Sequence, residues 1–154
     1  MPKTIDIIVF YLLSLTWGIL MTLVGFFAFL GVLLVRGPKA LRVRIIKGRI
    51  AVTVIDGAFG GISLGMLYMV GRQDSPHLHM HELGHTYQNI WWGPLFPFVI
   101  GIPSVIRCAV FSKLVARAKA KGKILKYDDI WFEGQATSLG YTYAFKEVTR
   151  ALLK

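Results

Sequence analysis

The chain has 154 residues, enough for one compact domain with a membrane-attached segment. Apolar residues make up 55% and charged ones 17%, a surplus of apolar surface that lipid or a partner has to cover. The net charge of +10 favours a membrane surface over nucleic acid, because six basic residues lie from Arg36 to Arg49 and six more from Lys113 to Lys126, each cluster just after an apolar stretch.

Ile7 to Val35 is 29 residues without a charge and reads as a transmembrane helix. Straight, it would extend roughly 43 Å against a hydrocarbon core of about 30 Å, an excess that tilt or a bend near Gly18 or Gly25 absorbs. Each half is too short to cross alone. The apolar core is too long for a cleaved signal peptide, so a retained anchor over residues 1–36 is expected. Only Lys3, balanced by Asp6, precedes this segment, and the basic residues follow it. The positive-inside rule then places the rest of the chain, residues 37–154, on the cytoplasmic side.

Gly37-Pro38 ends the helix. Leu41 to Ile55 reads as a β-hairpin turning at Lys47-Gly48, and Ile62 to Val70 as a third strand. Ser75-Pro76 starts a helix by serine capping and proline at its first position, and Gly93-Pro94 stops it near Trp91. The uncharged stretch that follows is broken by Pro94, Pro97, Gly101 and Pro103. Residues 90–110 are therefore expected to be interfacial or re-entrant. The lone Cys108 excludes an intramolecular disulfide and a cysteine zinc cage, and its apolar setting suggests buried filler. Lys113 to Lys126 reads as a basic, partly helical connector. Asp128 to about Leu153 reads as a last helix capped by Asp128 or Asp129.

The chemistry centres on His81-Glu82-Leu83-Gly84-His85. Four residues make about one helical turn, so both imidazoles project from one face. Two nitrogen donors so placed suit zinc, and Glu82 can reach a water beside the ion and take its proton. A third protein ligand is needed; no histidine follows His85, so it is acidic or comes from His77 or His79. His77 continues the row at i, i+4, i+8, but one straight helix cannot wrap three turns around one ion. Glu133, set among apolar residues in Trp131-Phe132-Glu133-Gly134-Gln135-Ala136, is the best-placed acid, since a carboxylate there is costly unless paired or on a metal. The plainer account, helix-dipole complementarity, is already supplied by Asp128 and Asp129.

These residues resemble the gluzincin metallopeptidases, in which H-E-x-x-H is followed on a later helix by E-x-x-A-D. Glu133 and Ala136 match the second motif, and Thr137 stands where the family has Asp. That Asp supports a ligand histidine, a task for which Thr137 offers only a hydroxyl. Phe59 to Gly65, His81 to Gln88, Gly93 to Phe96 and Gly101 to Ser104 also resemble small bacterial membrane proteins with an HEYGH-like motif. The resemblance covers roughly residues 59–140 and implies a minimal gluzincin core.

The expected fold is thus α+β: an N-terminal transmembrane helix, then a zincin-like core of a short antiparallel sheet, the H-E-x-x-H helix and a C-terminal ligand helix. The expected function is zinc-dependent peptide hydrolysis at a membrane, with Zn2+ on His81, His85 and Glu133, and Glu82 as general base. Tyr127, Tyr141 and Tyr143 are candidate oxyanion stabilisers, with Tyr141 on the same helix face as Glu133. Ile62 to Val70 is a candidate edge for peptide addition. Expected partners are membrane lipid and a peptide or protein substrate. The rival reading is a catalytically inactive metal-binding subunit of a membrane complex.

Overall fold

The computed structural model describes residues 4–71 and 74–153. Among them are five α-helices and one four-stranded sheet, a mixed α+β fold. The expected single N-terminal helix is two: α1 (Thr4–Leu15) and α2 (Ile19–Arg36), parted at Thr16-Trp17-Gly18. Thr22 Oγ1 donates to Ser14 O at 2.9 Å, although eight residues of continuous helix would separate them by about 12 Å. The bend is therefore sharp, and it brings Gly18 so close to the Asn89 amide that a Cβ there would make that side chain shift.

The hairpin of β1 (Leu41–Ile46) and β2 (Arg49–Val54) turns where expected, with positive φ at both Lys47 and Gly48, as a two-residue turn of the strand-matching hand demands. The expected third strand is itself a hairpin, β3 (Gly61–Leu64) and β4 (Leu67–Val70), turning at Gly65 with φ 69°. The sheet order is β1-β2-β4-β3, and β2 pairs with β4 in parallel. The sheet is therefore mixed rather than antiparallel. Its core face, with Val52, Leu67 and Met69, shares one apolar cluster with Met21 of α2 and Phe96. Strand β3 lies at one edge of the sheet.

Helix α3 (Pro76–Trp92) opens as expected, with Ser75 Oγ accepting from the Leu78 amide at 3.2 Å. After a 3-10 turn and a π-helical turn at Pro97–Gly101, the chain continues as α4 (Ile102–Ala120). The prolines thus re-space the helix rather than break it, each sitting in the first turn of a new segment where no amide is needed. Cys108 is exposed on α4, not buried. Helix α5 runs Trp131–Leu152 with no side-chain cap. The two aspartates expected to cap it lie in the preceding 3-10 turn Tyr127–Asp129, where Asp129 accepts from the Lys126 amide at 2.8 Å.

Among the described residues, two helices are long and apolar enough to cross a membrane, Ile19–Arg36 and Pro97–Ala120. Part of the first basic cluster has internal work instead of meeting lipid. Arg49 is buried, with its guanidinium 3.6 Å from the Phe10 ring centroid and 4.3 Å from that of Tyr87. Burial lowers its pKa despite the neighbouring tyrosines. Arg44 pairs with Asp74 at 3.2 Å.

Candidate metal centre

Helices α3 and α5 pack face to face through glycines. A Cβ on Gly84 would collide with the Ala136 carbonyl, and one on Gly140 with the Met80 carbonyl. This close approach sets Glu133 of α5 against the two histidines of α3. The three side chains are buried, and their donor atoms converge. His81 Nε2 and His85 Nε2 are 3.2 Å apart, and Glu133 Oε2 lies 3.1 Å from the first and 3.2 Å from the second. Donors at 2.0–2.1 Å from one tetrahedral ion stand about 3.3–3.4 Å apart, so this triangle fits a single ion above its plane.

The protonation pattern points the same way. Gln88 Nε2 donates to Phe132 O at 2.8 Å and to Gln135 Oε1 at 2.9 Å, which leaves Gln88 Oε1 to accept from His85 Nδ1 at 2.6 Å. Thr137 Oγ1 donates to Asp128 Oδ2 at 2.9 Å and accepts from His81 Nδ1 at 2.8 Å. Both Nδ1 atoms therefore carry the proton in the neutral rings, and both Nε2 lone pairs face the Glu133 carboxylate. Three acceptors at this separation repel one another unless a cation lies among them. Glu133 Oε1 is buried with no hydrogen-bond partner among the described residues, although Ser104 and Tyr127 border the carboxylate. Without an ion, burial pushes the Glu133 pKa up, but hydrogen bonds and charge from His81 and His85 outweigh it, and the net shift is down. For His81, burial opposes charging, Glu133 and Glu82 favour it, and the net shift is up. A buried His-His-Glu group that can bind a metal ion is thus present, and zinc is one of the divalent ions such donors suit.

Glu82 is buried beside the triad and lines the same cavity of about 880 Å³. Its pKa is raised, chiefly by burial, while the charges of His85 and His81 pull it back. Gly61 lies so close that any Cβ there would strike the Glu82 carboxyl. Strand β3 forms one wall of the cavity, and the start of α4 the other.

The remaining candidates divide. His77 borders the cavity but stands outside the triad, with Nδ1 3.1 Å from the Tyr141 hydroxyl. Tyr141 is thereby held at the rim. Tyr143 packs on Tyr87, ring centroids 5.5 Å apart. Tyr127 lines the cavity, 6.1 Å from the His81 ring, and burial raises its pKa. His79 faces the sheet, bonded to Tyr68 at 3.0 Å and to Asp74 at 2.6 Å. The sequence reading missed Gln88 and Asp128 as supports of the two histidines. Gln88 at i+3 from His85 was legible as a same-face neighbour, whereas nothing in the spacing marks Asp128.

The chain matches no protein-family model, and comparisons with curated proteins and with solved structures find no match.

Proposed function

We propose that the chain is a membrane-attached zinc metallopeptidase, with His81, His85 and Glu133 as metal ligands and Glu82 as general base. The observation that carries this reading is the convergence of two imidazole nitrogens and a carboxylate oxygen beside a second, non-ligand carboxylate on one cavity. A site serving structure alone needs neither the cavity nor Glu82. A bound zinc ion supplies Lewis acidity to a carbonyl oxygen and acidity to a water. Glu82 accepts a proton from the attacking water as its oxygen bonds to the carbonyl carbon. The amide C–N bond then breaks, and Glu82 passes that proton to the leaving amine. Strand β3, at the sheet edge, aligns an extended peptide by backbone hydrogen bonds. Tyr127 is better placed than Tyr141 to face the tetrahedral oxyanion, because it lines the cavity while the Tyr141 hydroxyl meets His77. The membrane is the setting that two long apolar helices and the basic residues beyond them favour, with the site on the cytoplasmic side.

The test is Glu82→Gln. Zinc content should stay at one ion per chain by elemental analysis, while cleavage of a quenched-fluorescent peptide falls at least a hundredfold, as loss of a general base requires, about 10²–10⁴. Cleavage at the wild-type rate would refute the mechanism. Wild-type protein that holds zinc but cleaves nothing would be the inactive metal-binding subunit.

A further inference from the structure

Building on the peptidase reading, we propose that the substrate is an uncharged, apolar stretch of polypeptide presented from the bilayer and bound extended along β3. The cavity walls are mainly apolar: Met21 from α2, Ile62 and Leu64 from β3, and Ile102, Val105 and Ile106 from α4. Among the described residues no Lys or Arg lines it, and its charged side chains are the acids Glu82 and Asp128. An acidic substrate side chain held there would lose its hydration and meet like charge.

The same walls belong to the two helices that are apolar enough to enter a membrane. Met21 lies in the first turn of α2, and the wall residues of α4 precede its basic end at Lys113. Val105 and Ile106 remain 62% and 56% exposed although they border the cavity. With these stretches in lipid, the cavity opens at the depth of the bilayer. A segment arriving from the bilayer must unwind to be cut, and its freed backbone groups then need partners that lipid does not supply. Strand β3 supplies them. Among the described residues it pairs with β4 on one side only, and its other edge joins no strand. Ser63 of β3 adds a buried hydroxyl on the cavity wall with no hydrogen-bond partner among the described residues.

The experiment uses the full chain, loaded with zinc, in phosphatidylcholine vesicles. Two quenched-fluorescent peptides of equal length are compared: an uncharged Leu/Ala/Phe segment that partitions into the vesicles, and one with alternating Glu and Lys that stays in water. The apolar peptide should be cleaved with at least tenfold higher kcat/KM. Val105→Lys should lower that rate at least tenfold without changing the zinc content. Equal or faster cleavage of the charged peptide overturns this inference and leaves the peptidase reading standing. So does a Val105→Lys variant that cleaves the apolar peptide at the wild-type rate. Cleavage of neither peptide by zinc-loaded protein overturns both.

Discussion

His81 is supported by two residues in series, the Thr137 hydroxyl and the Asp128 carboxylate behind it. By accepting from Thr137, Asp128 turns the hydroxyl's lone pairs toward the His81 N–H, so loss of either partner should loosen the imidazole. Thr137→Val and Asp128→Asn should each weaken zinc binding by about 10–100-fold, measured by competition with a chromophoric chelator. Thr137→Asp placed in the Asp128→Asn background should restore it, by giving His81 a direct carboxylate partner. On the opposite face of α3, Asp74 accepts from Arg44, Thr53 and His79. Burial raises its pKa, these partners outweigh burial, and the net shift is below the ordinary 3.8. A carboxylate with a depressed folded-state pKa stabilises fully above its unfolded value and loses that contribution as pH falls through the folded one. Thermal stability measured with excess chelator should therefore drop as pH goes below 3.8, and Asp74→Asn should flatten that part of the profile.

At the scale of elements, the site is the product of one helix crossing. Gly84 and Gly140 let α3 and α5 approach until each backbone meets a carbonyl of the other. Gly84 sits inside the motif itself, and its role is spacing rather than chemistry. Gly84→Ala should push the helices apart, cost about 1–3 kcal/mol by overpacking, and weaken zinc binding by displacing Glu133 from the two imidazoles. Denaturant unfolding without metal and chelator competition with it measure the two effects. The hairpin at Lys47-Gly48, the Ser75-Pro76 helix start and the Gly93 stop were all legible from the sequence, because each depends on the local conformational limits of a few residues. The split of Ile62–Val70 into two strands was not. Its turn at Gly65 presses on the backbone of Thr22, a contact 43 positions away in the chain.

At the scale of the molecule, α4 and the segment after it bear on how the chain meets the membrane. Arg107 donates to Lys126 O at 2.8 Å and to Tyr127 O at 3.1 Å. From Arg107 to Ala120 the helix advances about 20 Å, and the chain then turns back at Lys121-Gly122, where the Lys123 amide donates to Ala118 O at 2.9 Å. The irregular backbone that follows, carrying Lys123 and Lys126, does not suit exposure to hydrocarbon. Although Pro97–Ala120 is long and apolar enough to cross, its basic end from Lys113 onward is expected to stay outside the hydrocarbon. Cysteines placed near Lys47 and Lys121 in membrane vesicles should react with an impermeant thiol reagent from the same side, in a chain whose Cys108 has been replaced by Ser. Labelling from opposite sides would contradict this arrangement.

The sequence by itself determined where the apolar stretches lie, the helix that carries His81 and His85 on one face, and Glu133 as the acid to look for beside them. Those follow from periodicity, capping and the electron-pair demands of a metal, all of which act over a turn or two of chain. Only the tertiary structure decided that Glu133 meets both imidazoles, that Asp128 acts through Thr137, and that β3 rather than the whole stretch to Val70 forms the sheet edge. Each of these depends on the distance between segments far apart in the chain, set by glycine contacts and sheet order, and no local pattern encodes that distance.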